Sequence, residues 1–397
     1  MLLKEIAFVQ SNNYQKIDNW DDFFYLDTGS LTKNNISELQ YYKRKEDLPS
    51  RAQQKVKNGQ ILYSSVRPNQ EHFGFVDRDF NHLLVSTGFI ILTPIEEIVN
   101  PKFLYYVLTQ KNITDKMQRV AQNNASSYPS VTQEDLLNIE IDLPDRKTQD
   151  KIAEILSGID EQINRNNEIV KKLQVLIHTK YSFAFESRNV PNGHIKDICL
   201  LPSGFSFKPE MYCQNGNYKL VTIKNVNDIF VNTEKTDKIS TMPNGIKKYC
   251  NLSVGDILMS LTGNVGRISI VTEKNNLLNQ RVSVFKCDEK YKTYIYALLN
   301  SQKYQIIMQK ISRGTSQKNL SPIDVENLAI FIPDNIEGFY NETILYFNQM
   351  ILIQQNTQSL LNLKSNILPL LINNQLTNVQ CFSTKKRRDC RCYLKIV

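Results

Sequence analysis

The chain has 397 residues, 41% of them hydrophobic and 22% charged, a balance that excludes a largely disordered protein. No run reaches the roughly 20 apolar residues that cross a bilayer, and Met1-Leu2-Leu3-Lys4-Glu5 places an acidic residue where a secretory signal needs an apolar core. A cytoplasmic location is expected. The net charge of +8 is concentrated at one end, because Cys381–Val397 hold six basic residues and one acidic one. The mildly basic body permits nucleic-acid binding without arguing for it.

The length predicts two or three domains, and the sequence repeats itself at that scale. Gly59-Gln60-Ile61-Leu62 matches Gly255-Asp256-Ile257-Leu258, each followed by a serine, Ser64 and Ser260. Leu104-Tyr105 then pairs with Ile295-Tyr296, and Met117-Gln118 with Met308-Gln309. Asp135, Asn138, Pro144 and Asp145 pair with Asp324, Asn327, Pro333 and Asp334. An ordered series of matches indicates duplication of a whole domain.

In chain order, the first copy (1–145) opens with β-rich segments such as Ile61–Val66 and Phe89–Thr93. A helix over Pro101–Val120 follows, then a polar loop over Ala121–Ser130, then an alternating strand over Asn138–Leu143 that stops at a proline. Next comes a helix over 146–187. Ile152, Leu156, Ile159, Ile163, Asn166, Val170, Leu173 and Ile177 alternate steps of four and three, a heptad seam. The second copy (188–335) repeats the grammar, with strands at Ile257–Leu261 and Ile268–Thr272, a helix over Tyr291–Ile311, a loop over Ser312–Ser321 and a strand over Asn327–Ile332.

A second long helix is predicted over 336–376, with a seam of Tyr346, Gln349, Ile353, Asn356, Leu360, Leu363, Ile367 and Leu370. Pro369 is expected to end or kink it near Leu368. Asn166 and Asn356 occupy the same place in their seams, where an apolar residue belongs. A buried asparagine lowers stability and fixes register. The two are expected to face each other and hydrogen-bond across an antiparallel helix pair. The fold class expected is therefore α/β (α+β). Two similar mixed α/β domains are separated by two long antiparallel coiled-coil helices with pseudo-twofold symmetry, a spacer of roughly 50 Å.

Seven cysteines, Cys199, Cys213, Cys250, Cys287, Cys381, Cys390 and Cys392, form no CxxC pair, and the four histidines are scattered. Free thiols are expected and a metal site is not. No phosphate loop, dinucleotide glycine motif or amino-methyltransferase motif is present, and Leu261–Arg267 with its two glycines reads as a hairpin turn. No catalytic residue is assigned.

The order domain–helix–domain–helix resembles the specificity subunit of type I restriction–modification systems. So do the phrase Asn58-Gly59-Gln60-Ile61-Leu62-Tyr63-Ser64-Ser65-Val66-Arg67-Pro68, and Leu143-Pro144 followed by Gln149, Ile152, Leu156, Ile159-Asp160 and Ile163. The resemblance covers about residues 1–375. It implies that each globular domain is a target recognition domain reading one half of a bipartite, asymmetric double-stranded DNA target. It also implies that the helices act as a ruler and dock two modification (methyltransferase) subunits, joined by restriction/translocase subunits. S-adenosylmethionine, and ATP with Mg, would then belong to those partners, and this chain would hold no cofactor and be no enzyme itself. Two features depart from the family: Pro333–Glu337 lacks the glutamine-containing stretch that follows Pro144, and the tail 377–397 is foreign to it. The tail reads equally as a disordered basic arm on DNA or as read-through past a degraded frame.

Base reading needs bidentate side chains, arginine for guanine and asparagine or glutamine for adenine, on loops held by a rigid domain. In the first domain the candidates are Arg67, Asn69 and Gln70 after the strand, and Asn123, Asn124, Ser126, Ser127 and Tyr128 in the later loop. In the second they are Asn264 and Arg267, then Arg313, Ser316, Gln317, Lys318 and Asn319. Of the basic residues, Lys318, Arg313 and Lys111 are expected at phosphates rather than at bases, where contacts position without specifying. The rival reading is a structural adaptor whose end domains bind proteins, and salt-sensitive, sequence-selective DNA retention separates the two.

Overall fold

The computed structural model describes residues 1–124, 129–186, 190–314 and 317–373, apart from the side chain of Lys16. The chain divides into two compact units, Met1–Glu161 with the chain from Asn362 onward, and Gln162–Leu361. The division falls inside both long helices.

In the first unit, one antiparallel sheet runs Ala7–Val9, Phe89–Pro94, Ile61–Ser64, Phe73–Phe75. A second runs Gln40–Tyr42, Phe23–Leu26, Leu83–Ser86, Ala52–Lys55, with its central pair parallel. Every residue of Ile61–Ser64 is buried. Leu26, Leu62, Val85 and Ile91 from both sheets share one core, so the strands read as apolar runs rather than alternating ones. Helices α1 (Pro101–Leu108), α2 (Lys111–Asn123) and α3 (Gln133–Leu137) follow.

The second unit repeats this topology. Its four-stranded sheet runs Lys238–Ile239, Tyr218–Val221, Asn276–Leu278, Asn251–Leu252, again with a parallel centre. A three-stranded sheet runs Ile268–Ile270, Ile257–Ser260, Val282–Val284. The repeated glycine is now explained. Gly59 and Gly255 both sit at left-handed φ, +85° and +88°, where a side chain is disfavoured. Each donates its N–H across a hairpin at 2.8 Å, Gly59 to Val76 O and Gly255 to Val271 O.

Helices differ from the sequence expectation in three ways. The single helix expected over Pro101–Val120 is α1 and α2, with Gln110 extended between them. That expected over Tyr291–Ile311 is α5 (Lys292–Asn300) and α6 (Gln302–Ile311), broken at Ser301. At each break a buried polar side chain takes a carbonyl of the preceding turn, Gln110 Nε2 to Val107 O and Ser301 Oγ to Leu298 O. Those carbonyls no longer need a continuing helix. Helix α2 also runs to Asn123, into the segment expected to be loop. Short helices α3 and, in the second copy, α7 (Pro322–Glu326) precede the last strands. Those strands shrink to Ala329–Ile330 in one copy and to a single bridge, Leu2 with Glu140, in the other.

Long helix α4 spans Arg146–Tyr181 and passes into a π-helical turn, Ser182–Glu186. Asp145 caps it, accepting from the Thr148 N–H and hydroxyl. Ile152, Leu156, Ile159, Ile163, Asn166, Val170 and Ile177 are all buried, as the heptad requires. Helix α8 spans Glu337–Ile372, so it does not end near Leu368 but runs three residues past Pro369. Its seam follows the expected one only in part. Ile367 is buried and Tyr346, Ile353, Leu360 and Leu363 are half-buried, but Gln349, Asn356 and Leu370 are exposed, and Phe347, Met350 and Thr357, each one residue from an expected position, are buried together with Thr343. The reason is that α8 carries leucine on its outer face too, with Leu345 68% and Leu352 61% exposed, while threonines hide in the seam. Within the second unit the helices are antiparallel, Lys180 pairing with Glu342 and Asn166 with Asn356.

Candidate nucleic-acid interface

In each unit the two loops singled out by sequence lie side by side. In the first, the hairpin after Ile61–Ser64 meets the chain that follows α2. Val131 N–H donates to Ser65 O, Arg67 N–H donates to Pro129 O, and Val66 bridges Ser130. Arg67 and Glu71 hold left-handed backbone at φ +49° and +59° around the turn Pro68–Gln70. Two non-glycine residues in that region within five positions mark a loop held in a demanding shape. The turn presents Arg67, Asn69 and Gln70 to solvent over a buried Pro68. Asn69 N–H donates to Gln118 Oε1 on α2 at 3.1 Å, and Gln70 Oε1 lies 3.1 Å from His72 Nε2. Lys33, paired with Glu71 at 3.0 Å, adds a cation beside the loop.

In the second unit the hairpin Leu261–Arg267 meets the chain after α6. Gly263 N–H donates to Lys318 O, Leu320 N–H to Leu261 O, and Thr262 bridges Asn319. Gly266 sits at a left-handed φ of +76°, where a side chain is disfavoured, and a Cβ there would also crowd Met308 at 3.2 Å. Asn264 is exposed at the tip, and Gln317, Lys318 and Asn319 are exposed opposite it. Arg313 and Asn319 exchange two backbone hydrogen bonds, closing a small loop of their own. Arg267 is only half-exposed, and its guanidinium donates to the Asn227 side chain at 3.1 Å.

The structure therefore brings Arg67, Asn69 and Gln70 to one exposed edge of their domain, and Asn264, Arg313, Gln317 and Lys318 to the corresponding edge of theirs. Asn123 ends α2, Asn124 caps it, and Lys111 begins it. Ser126, Ser127, Tyr128 and Ser316 lie outside the described residues. Sequence reasoning missed the residues that hold the loops. Gln118 and Gln309 stand at the same point of α2 and α6. Gln309 Nε2 donates to Val265 O at 2.9 Å and its Oε1 accepts from Lys318 Nζ at 3.1 Å. The repeated Met-Gln pair was the available signal, visible as a mark of duplication but silent about role.

Among the described residues no group of three His, Cys, Asp or Glu could hold a metal ion, and no helix is long and apolar enough to cross a membrane. Cys199, Cys213, Cys250 and Cys287 are free thiols, two of them buried. The tail from 377 lies outside the described residues.

Two globular units of one topology, each displaying a scaffolded pair of polar loops, define a bidomain recognition protein. Residues 3–175 and 188–345 both match the type I restriction modification DNA specificity domain. The chain belongs to that family and carries its domain twice, as the sequence resemblance implied.

Relatives agree. The specificity subunit of the type I restriction enzyme HindI of Haemophilus influenzae is 30% identical over 161 residues, 41% of this chain and 35% of that protein. The MjaIX specificity subunit of Methanocaldococcus jannaschii is 25% identical over 346 residues, 80% of this chain and 78% of that one. Among solved structures, the type I restriction-modification S subunit from M. genitalium superposes with a TM-score of 0.55 at 13% identity, covering 94% of this chain and 95% of that one. That likeness bears on the fold alone.

Proposed function

We propose that this chain is the sequence-reading subunit of a type I restriction–modification complex, contributing recognition and assembly but no chemistry. Each globular domain reads one half of a bipartite DNA target through its pair of adjoining loops. Arg67, Asn69, Gln70, Asn124, Asn264, Arg313, Gln317 and Lys318 are the described side chains offered to DNA. The observation that carries this reading is that the two loop pairs have the same supports and different side chains. Two heads reading different half-sites need that combination. Sequence is read by side-chain contacts to base edges, while the lysines position the domains on phosphates.

Helices α4 and α8, each of 36 residues and about 54 Å long at 1.5 Å per residue, set the gap between half-sites and dock two modification subunits, with restriction subunits completing the complex. S-adenosylmethionine, and ATP with magnesium, belong to those partners. Methylome sequencing of a host carrying this chain with its modification subunit, against a host lacking the chain, tests the reading. A new split motif with methyladenine in both halves, absent from the control, is expected. Assembly without a new motif would favour a degenerate allele or a protein adaptor. Four residues added to α4 lengthen it by about 6 Å and should widen the gap by one to two base pairs, at about 3.4 Å each.

A further inference from the structure

The two loop pairs share one more contact. In the first domain Asn124 Nδ2 donates to Asp135 Oδ2 at 3.1 Å. In the second, Arg313 Nη2 donates to Asp324 Oδ2 at 3.2 Å. Asp135 is the third residue of α3 and Asp324 the third of α7. Each partner lies eleven residues before its aspartate. One carboxylate, at one place in a duplicated fold, thus holds an amide in one copy and a guanidinium in the other.

Stability does not account for this. The Arg313 side chain is 81% exposed, and an ion pair that open adds little. Orientation does account for it. An ionised carboxylate only accepts hydrogen bonds, so Asp135 turns the Nδ2 of Asn124 toward itself and thereby fixes where Oδ1 points. Among the described residues nothing else pairs with the other amide N–H or with Oδ1, the donor–acceptor pair that matches the N7 and N6 edge of adenine. Asp324 occupies one of the five N–H groups of Arg313. It holds the planar fork in place with further donors left for the O6 and N7 of guanine. A side chain ordered beforehand loses less freedom on binding.

We propose that Asn124 and Arg313 are equivalent specificity-determining residues, Asn124 reading an adenine in one half-site and Arg313 a guanine in the other, with Asp135 and Asp324 as their positioning residues. This rests on the DNA-reading function proposed above and adds the base class that each domain reads at one position.

The test is selection of randomised duplex DNA by the full chain, with sequencing of the retained molecules, for the wild type, R313N, R313K, N124R, D324N and D135N. R313N should erase a guanine preference of roughly 5- to 100-fold at one position of one half-site and leave the other half unchanged. R313K keeps the charge but not the planar fork and should weaken the preference. D324N should weaken the same preference, and N124R should replace adenine by guanine at one position of the other half.

Asp135 also caps α3 through the Thr132 N–H and hydroxyl, so D135N is judged by base preference at that single position, which a loosened helix end would not shift selectively. No side-chain cap forms at Ser321, but Asp324 is the acidic residue of the first turn of α7, so D324N is judged by the same single-position readout. Uniform loss of retention over all sequences in R313N, with R313K restoring it, would mean a phosphate contact and overturn the assignment. A wild-type motif that all variants leave intact would overturn it while sparing the DNA-reading function. A wild type that retains DNA without sequence preference would overturn both.

Discussion

The two units fasten their domains to the long helices by different chemistry. In the first, the fastening is polar. Gln149 on α4 is 1% exposed; its Oε1 accepts the Asn100 N–H at 2.8 Å and its Nε2 donates to Pro144 O at 2.9 Å. Further along α4, Asp160 accepts from the Tyr106 hydroxyl at 2.8 Å and from Lys364 Nζ of α8 at 2.5 and 2.7 Å. Burial and the neighbouring Asp160 carboxylate hold the Tyr106 phenol far above its ordinary pKa, so it stays a donor. In the second unit aromatic rings take over much of the fastening, beside the hydrogen bonds of Thr343 to Thr293 and of Gln355 Nε2 to Thr272 O. Phe185 packs edge-on against Tyr294 at 5.3 Å and Phe339 at 5.2 Å, and Tyr296 against Phe347 at 5.4 Å.

At the offset of 190 that relates Asn166 to Asn356, Gln149 corresponds to Phe339, Asp160 to Met350 and Lys364 to Gln174. Duplication preserved the backbone while each joint found its own solution. The lesson is that the missing glutamine at the start of the second helix is a substitution of packing for hydrogen bonding. The two joints should therefore fail differently.

The largest effect belongs to the aromatic joint. Phe347 is fully buried, and Phe347→Ala removes a ring from a packed core, which typically costs about 3–5 kcal/mol. Amide hydrogen exchange reads the units separately. Protection should fall across 162–361 and hold across 1–161; equal loss in both would show that the joints are not independent.

The polar joint should respond to lost pairing rather than lost volume. Asp160→Asn leaves the Lys364 ammonium, 23% exposed, without its anion, at about 1–3 kcal/mol. Adding Lys364→Met should recover part of that, because the stranded charge is gone. A double variant no more stable than Asp160→Asn alone would refute the account.

How much of this was legible in the sequence follows from the kind of interaction. Gly59 and Gly255 were visible because a left-handed turn admits little else. The α4 seam was visible because its outer face is polar. The α8 seam was only partly legible, because Leu345 and Leu352 face outward while Thr343 and Thr357 face inward. Thr343 is kept there by a 2.7 Å hydrogen bond to Thr293 of α5, a partner fifty residues away that no periodicity announces. The parallel pairing of Phe23–Leu26 with Leu83–Ser86 is equally non-local. At the interface, loop positions could be read from the repeat. Gln118, Gln309, Asp135 and Asp324 could not, because their partners are backbone or loop groups whose approach depends on the fold.

The smallest expected effect separates the joints by acidity. His178 of α4 lies beside the Tyr296 ring, centroids 6.2 Å apart. Burial lowers its pKa below the ordinary 6.5, against a weaker opposing pull from Glu186. The fold therefore favours the neutral ring. That contribution is complete above pH 6.5 and is lost as pH falls through the depressed folded value. The first unit has its sensitive groups elsewhere. Asp145 is lowered by its hydrogen bonds to Thr148, and Asp150 by those to Asn100 and Arg146. Their contributions persist until pH falls below the ordinary 3.8. Between these windows, acid should loosen 162–361 while 1–161 keeps its protection. His178→Gln cannot take up the proton and should flatten the loss in the second unit, leaving the first unit's acid limb where it was. An unchanged acid response in that variant would place the sensitivity on another group.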